Sequence, residues 1–109
     1  MVHTIIVHLY ARADASSIAS LKAKLVEASR VYVRDKETIS WLVMQDHKDP
    51  RAFTIVERYE QASSLRYHVE NPYYKAFNPA VQPWLEKPMD LRRYEEMDTS
   101  GEDAVVPKI

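Results

Sequence analysis

The 109-residue chain has no cysteine and a single glycine, Gly101. Without thiols there is no disulfide, no cysteine nucleophile and no zinc–thiolate site, and the lack is compatible with a reducing compartment. The shortage of glycine is equally restrictive. Phosphate-cradling loops, dinucleotide fingerprints and serine-nucleophile elbows need glycine where the backbone turns tightly or approaches a ligand, and here none is available. Neither sign of charge prevails: 15 basic and 16 acidic residues leave a net −1. No basic stripe interleaved with aromatics is present, so nucleic acid is not an expected partner. Charges and histidines break every apolar run before the ~18 residues that suggest a membrane span. The opening Met1–Val7 has no basic leader or small-residue cleavage site, so a soluble cytoplasmic domain without a membrane partner is expected. The four histidines, at 3, 8, 47 and 68, fall on three separate segments, and His68 has no histidine or carboxylate at i+4. No metal site is predicted.

What the chain does contain is clear periodicity. Val2 to Tyr10 is apolar and β-branched, with Thr4, Ile6, His8 and Tyr10 on one face and His3, Ile5, Val7 and Leu9 on the other. Asp14 offers an N-cap. Ile18, Leu21, Leu25, Ala28 and Tyr32 then form one stripe of an amphipathic helix ending near Arg34. After the polar link Asp35-Lys36-Glu37, residues 39–45 read as a strand with Ile39, Trp41 and Val43 alternating against Ser40, Leu42 and Met44. A turn over 46–51 leads into a third strand, Phe53 to Tyr59, and the short connection predicts an antiparallel hairpin. A helix over 61–70 carries His68. A second helical stretch over 73–85 contains Pro79 and Pro83, where kinks or breaks are expected. Residues 89–96 read as the last strand and 97–109 as a loose tail.

This order predicts an α+β, ferredoxin-like split βαβ plan with an antiparallel sheet. The first three strands are apolar on both faces: Ile6 opposes Ile5 and Val7, Trp41 opposes Leu42, and Ile55 opposes Val56. Such a sheet must be covered on both sides, and the helices of one chain cover only one. A bare second face would exceed the patches monomers usually expose, so a homodimer stacked sheet on sheet is predicted.

Several residues, in this order, resemble the antibiotic biosynthesis monooxygenase (ABM) domain: the turn Asp49-Pro50-Arg51, the strand end Glu57-Arg58-Tyr59, the His68 helix, and Asn71-Pro72-Tyr73-Tyr74 with Phe77. The resemblance spans residues 2 to 96, which sets a domain at 1–96 and a tail at 97–109. It implies the dimeric α+β barrel fold and oxidation of an aromatic polyketide or quinol by O2 with no cofactor. Two positions depart from the pattern. Asp35-Lys36-Glu37-Thr38 stands where many members have a Glu-Pro-Gly type turn, and Tyr59 stands where tryptophan is frequent. The family also includes heme-degrading and sugar-isomerising members, so the fold leaves the chemistry open.

His68 is the candidate catalytic base. Its place on the helical wheel turns it towards the sheet, and an imidazole titrating near ~6.5 can accept a proton at neutral pH. The same placement also suits a core histidine bonded to a carboxylate. Glu57 shares the face of Phe53, Ile55 and Tyr59. It could orient His68, although an ion pair with Arg58, Arg66 or an arginine of the last strand is the expectation. His8 and Tyr10 could line a cavity, His8 alternatively sitting at the sheet edge, while His3 and His47 read as surface residues. Trp41, Tyr59, Tyr73, Tyr74, Phe77 and Trp84 would fill the core and interface, with a few of them touching a ligand. The expected partner is a small aromatic or hydrophobic metabolite. The expected function is a cofactor-independent monooxygenase acting on a phenolic, quinol or anthrone-like substrate. The alternatives are a small-carbonyl isomerase or lyase, and a non-catalytic dimeric binder of a hydrophobic metabolite.

Overall fold

The protein is described by a computed structural model over residues 1–100. Strand β1 (His3–Tyr10) is followed by helix α1 (Ala15–Tyr32), then by the hairpin of β2 (Thr38–Gln45) and β3 (Ala52–Tyr59). A 3₁₀ turn at Ala62–Ser64 leads into α2 (Leu65–Glu70), α3 (Pro72–Val81), a second 3₁₀ turn at Gln82–Trp84, and β4 (Asp90–Glu95). The sheet order is β2-β3-β1-β4, every pair antiparallel. β3 separates β1 from β2, the hallmark of the split βαβ plan. No described helix is long and apolar enough to cross a membrane.

Local chemistry sets the helix ends. The Asp14 carboxylate accepts from Ser17 N at 2.8 Å and caps α1. Leu21, Leu25, Ala28 and Tyr32 of its stripe are buried against the sheet, and removing a side chain such as Leu25 by mutation to alanine costs ~2–5 kcal/mol. Asn71 Oδ1 accepts from Tyr73 N at 3.0 Å, and Pro72 sits in the first turn of α3, where a missing N–H costs nothing. The expected break at Pro79 does not occur: α3 runs through it, anchored by buried Phe77 and Val81. Only at Gln82-Pro83 does the α-helix tighten to 3₁₀.

Two further residues depart from their predicted setting. Ile39 is exposed, because a register shift between Thr38 and Ser40 takes it off the row of Trp41 and Val43. His3 is buried instead of lying on the surface, its Nδ1 donating to Glu95 Oε1 (3.1 Å) and its Nε2 accepting from Arg93 Nε (3.1 Å). It thereby ties β4 to β1.

The helices cover the face of the sheet that carries Ile5, Val7, Leu9, Trp41, Phe53 and Ile55. The opposite face holds Ile6, Val56 and Leu42 in one row across three strands, flanked by Met44 and Tyr94. Leu42 is 53% exposed and Met44 48%. Every residue of β4 is exposed. Beyond it, Glu96 is held by a bidentate pair with Arg58 (2.7 and 2.9 Å) and by the Thr4 hydroxyl (2.5 Å). Of the predicted tail, 101–109 lie outside the described residues.

Candidate active site

Period-two alternation in β3 turns Phe53, Ile55, Glu57 and Tyr59 to the helix side, so a carboxylate enters the core. Alternation also sends Arg58 to the other face, where it pairs with Glu96. The expected ion pair of Glu57 therefore does not form: Arg66 bonds Tyr67, and Arg93 bonds His3. Glu57 is left with the Tyr59 hydroxyl, which donates to Oε1 at 2.6 Å. Burial pushes the Glu57 carboxyl up to about 7, with the Tyr59 hydroxyl and the Trp41 indole N–H pulling it down.

His68, near the middle of α2, is buried under the same layer. Its Nε2 lies 3.8 Å from Glu57 Oε1, and its Nδ1 lies 3.8 Å from Asp35 Oδ2 on the α1–β2 link. Burial drives the imidazole down to about 4, so it is neutral at neutral pH. Tyr32 meets it edge-on at 4.1 Å between ring centres and Tyr74 at 5.2 Å. Tyr32 also touches Trp41, Tyr73 and Phe77, at 4.9, 5.3 and 6.3 Å. One phenol ring thus joins α1, β2, α2 and α3.

Against this cluster lies a cavity of about 100 Å³. His68, Glu57, Trp41, Tyr32 and Phe77 form its inner wall, while Tyr74, Asn78 and Leu91 stand at its exposed rim. Five of the predicted site residues therefore converge: His68, Glu57, Trp41, Tyr74 and Phe77. Tyr59 stands behind Glu57, fully buried.

The others are elsewhere. Tyr73 lies behind Tyr32, its hydroxyl donating to Glu27 at 2.5 Å. Trp84 packs beside Ser20, Ala23 and Lys24 of α1. His8 and Tyr10 are on the opposite face of the sheet, because the helices cover the His3–Leu9 row of β1 instead. His8 Nδ1 is 3.1 Å from Thr54 Oγ1, and the Tyr10 hydroxyl donates to Asp49 at 2.9 Å. Both border a broader open groove of about 510 Å³ with no buried titratable group in its lining. The chemistry is concentrated in the smaller hollow, where desolvated acid and base face an apolar wall.

Tyr32, Asp35, Asn78 and Leu91, at or beside the cavity, were not among the predicted site residues. Tyr32 read as the last core position of α1, Asp35 as part of a polar link, and Leu91 as a strand residue of unassigned face. Where the expected Glu-Pro-Gly type turn is replaced, Glu37 takes the left-handed conformation a glycine would adopt, φ 61°. Its carbonyl accepts Glu60 N at 3.0 Å, and its carboxylate accepts the Ser64 hydroxyl at 2.7 Å. These bonds offset the roughly 1–2 kcal/mol such a backbone costs and join the link that carries Asp35 to the turn before α2.

The fold is that of a ferredoxin-like α+β protein, with the candidate site between the sheet and the α2–α3 pair. The antibiotic biosynthesis monooxygenase (ABM) family model matches residues 4–80, and the chain belongs to that family. Solved structures share the fold at low identity. Rv0793 of Mycobacterium tuberculosis has a TM-score of 0.81 at 17% identity, covering 93% of this chain and 100% of its own. A Nitrosomonas europaea protein named for the same monooxygenase scores 0.80 at 18%, covering 88% and 99%. PA3566 of Pseudomonas aeruginosa scores 0.78 at 14%, covering 89% and 95%. At these identities the likeness establishes the fold alone. No curated protein matches the chain.

Proposed function

We propose that the protein is a cofactor-independent monooxygenase of a phenolic or quinol ring, with His68 as the base. The observation that carries this reading is a neutral, buried imidazole set 3.8 Å from each of two carboxylates at an aromatic-walled cavity. Taking a proton from the substrate turns His68 into an imidazolium flanked by Asp35 and Glu57. The favourable charge pairing arises only as the proton arrives, which is where stabilisation accelerates a reaction.

The resulting electron-rich anion can pass an electron to O2. Recombination of the two radicals forms a carbon–oxygen bond as a peroxide. Loss of water from that peroxide leaves one oxygen atom in the substrate carbonyl, and the other departs with the two hydrogens removed. Desolvation by Tyr32, Trp41 and Phe77 suits both steps by keeping bulk water from the peroxide. The cavity is small beside the ~300–1,000 Å³ of pockets for drug-sized ligands, which favours a single ring over three fused ones. The same size favours, as a second reading, an isomerase of a small carbonyl compound using the same base.

We further propose that the working form is a homodimer. The support is the exposed row of Ile6, Val56 and Leu42 with Met44 and Tyr94, an apolar face that the helices of one chain leave bare.

The test is oxygen uptake with a panel of phenols and quinols. Turnover should stop under anaerobic conditions and fall by ~10²-fold or more in His68→Ala. Oxygen-independent turnover would select the isomerase, and undiminished activity in His68→Ala would remove the imidazole from the mechanism.

A further inference from the structure

We propose that Asp35 is a positioning residue of this site, receiving the Nδ1 proton of His68 and so fixing the tautomer whose unprotonated Nε2 faces Glu57. Its importance to turnover rests on the reading above, but the tautomer itself does not.

Two buried polar atoms beside the cavity are orphans. Asp35 Oδ2 and His68 Nδ1 are both buried with no hydrogen-bond partner among the described residues, and they face each other at 3.8 Å. Buried polar atoms left unpaired are costly, typically ~1–3 kcal/mol each. An acceptor and a potential donor opposite one another satisfy both with a movement of roughly 1 Å, to the ~2.8 Å of a charged hydrogen bond. The gap is too narrow for a bridging water.

The carboxylate is already aimed. Its other oxygen, Oδ1, accepts Asn71 Nδ2 at 2.8 Å, and Asn71 caps α3 through its own oxygen. The α2–α3 junction therefore sets the direction in which Oδ2 points. The titratable groups against the ring are Tyr32 from α1, Asp35 from the link, Glu57 and Tyr59 from β3, and Tyr74 from α3. None of them is basic. Only the two carboxylates approach its nitrogens.

Two arrangements are open to one ring between two acids: Nδ1–H towards Asp35, or Nε2–H towards Glu57. The environments choose between them. Glu57 is the more deeply buried and Asp35 the less so, and the burial that raises both carboxyls acts harder on Glu57, which sits at about 7. Asp35 is also held by an amide donor. Asp35, less buried and aimed by its amide donor, is the better acceptor, and the imidazole proton goes to it. Nε2, on the side of Glu57, is thereby left bare to receive the substrate proton.

Nitrogen-15 NMR of histidine-labelled wild-type protein, with His68→Gln to assign the signal, reads the tautomer directly at neutral pH. The expected result is a protonated Nδ1 and a bare Nε2. In Asp35→Asn the carboxamide keeps its oxygen on Asn71 and turns its NH2 to Nδ1, so the proton should move to Nε2. Turnover of that variant should fall by ~10²-fold or more, as when an aspartate that orients a catalytic histidine becomes asparagine, with KM little changed.

A wild-type Nε2–H or doubly protonated ring overturns the proposal without any variant. So does a folded Asp35→Asn that keeps Nδ1–H. The expected tautomers with no oxygen-dependent turnover would support the positioning role and sink the oxygenase reading.

Discussion

The Tyr59 hydroxyl donates to Glu57 Oε1 at 2.6 Å, the one hydrogen bond of good geometry that this buried carboxyl receives among the described residues. A donor to the ionised form lowers a carboxyl against the burial that raises it. In Tyr59→Phe the Glu57 midpoint should therefore climb above about 7, as followed by carboxyl carbon NMR. A midpoint that stays or falls would show that the bond does not tune the acid.

The same carboxyl makes stability depend on pH. Its folded value, about 7, exceeds the ordinary 4.5, so the native state binds the proton more tightly than the unfolded chain. That contribution is fully present below pH 4.5 and is lost as pH rises through 7, roughly 3 kcal/mol in all. His68, lowered from 6.5 to about 4, works in the other sense: its contribution is present above 6.5 and lost as pH falls through 4. Glu57→Gln leaves the histidine effect in place and removes the other. Urea unfolding at pH 5 and pH 8 should show the variant gaining about 2–3 kcal/mol on wild type at the higher pH. An unchanged difference would contradict burial as the cause.

The two groups also separate in kinetics. If His68 is the base, kcat/KM should fall on the acid side near pH 4, where the imidazole takes up its proton. A fall centred near 7 would transfer the role to Glu57.

Much of this arrangement could be read from residue order. The alternation of Phe53, Ile55, Glu57 and Tyr59 announces a carboxylate on the core face, and the stripe ending at Tyr32 announces the helix above it. The inward turn of His68 follows from its distance to Leu65. The choice of sheet face was harder, because β1 is apolar on both sides. The helices settle on the row that includes His3, which separates His8 and Tyr10 from the site. Asp35 was hidden for a different reason. A short acidic residue in a charged link looks like a solvated one, and only the cap at Asn71, brought in from a distant part of the chain, shows its direction. The bulge that exposes Ile39 and the unbroken helix at Pro79 are both tertiary outcomes with no local marker.

Glu37 offers a test of backbone cost against side-chain gain. Its left-handed φ of 61° suits glycine, while its carboxylate accepts Ser64. Glu37→Ala keeps the first cost and loses the bond; Glu37→Gly loses the bond but relieves the backbone. The glycine variant should be the more stable of the two by about 1 kcal/mol in thermal or chemical unfolding. Equal stability would mean that the turn relaxes.

The bare sheet face gives the last prediction. Val56 lies between Ile6 and Leu42 in register, so Val56→Lys would put a charge at the centre of a sheet-on-sheet contact. Sedimentation should show wild type as a dimer and the variant as a monomer at the same concentration. A monomeric wild type would remove that contact from the proposal.

The chain has two tryptophans, and they are differently placed. Trp41 lines the cavity, its indole 4.9 Å from the Tyr32 ring, whereas Trp84 is absent from that lining and lies beside Ser20, Ala23 and Lys24 of α1. Any guest in the hollow must rest on one indole and leave the other undisturbed. The molecule therefore carries its own optical gauge of occupancy: emission from Trp41 responds to a ligand, and that from Trp84 supplies the constant background.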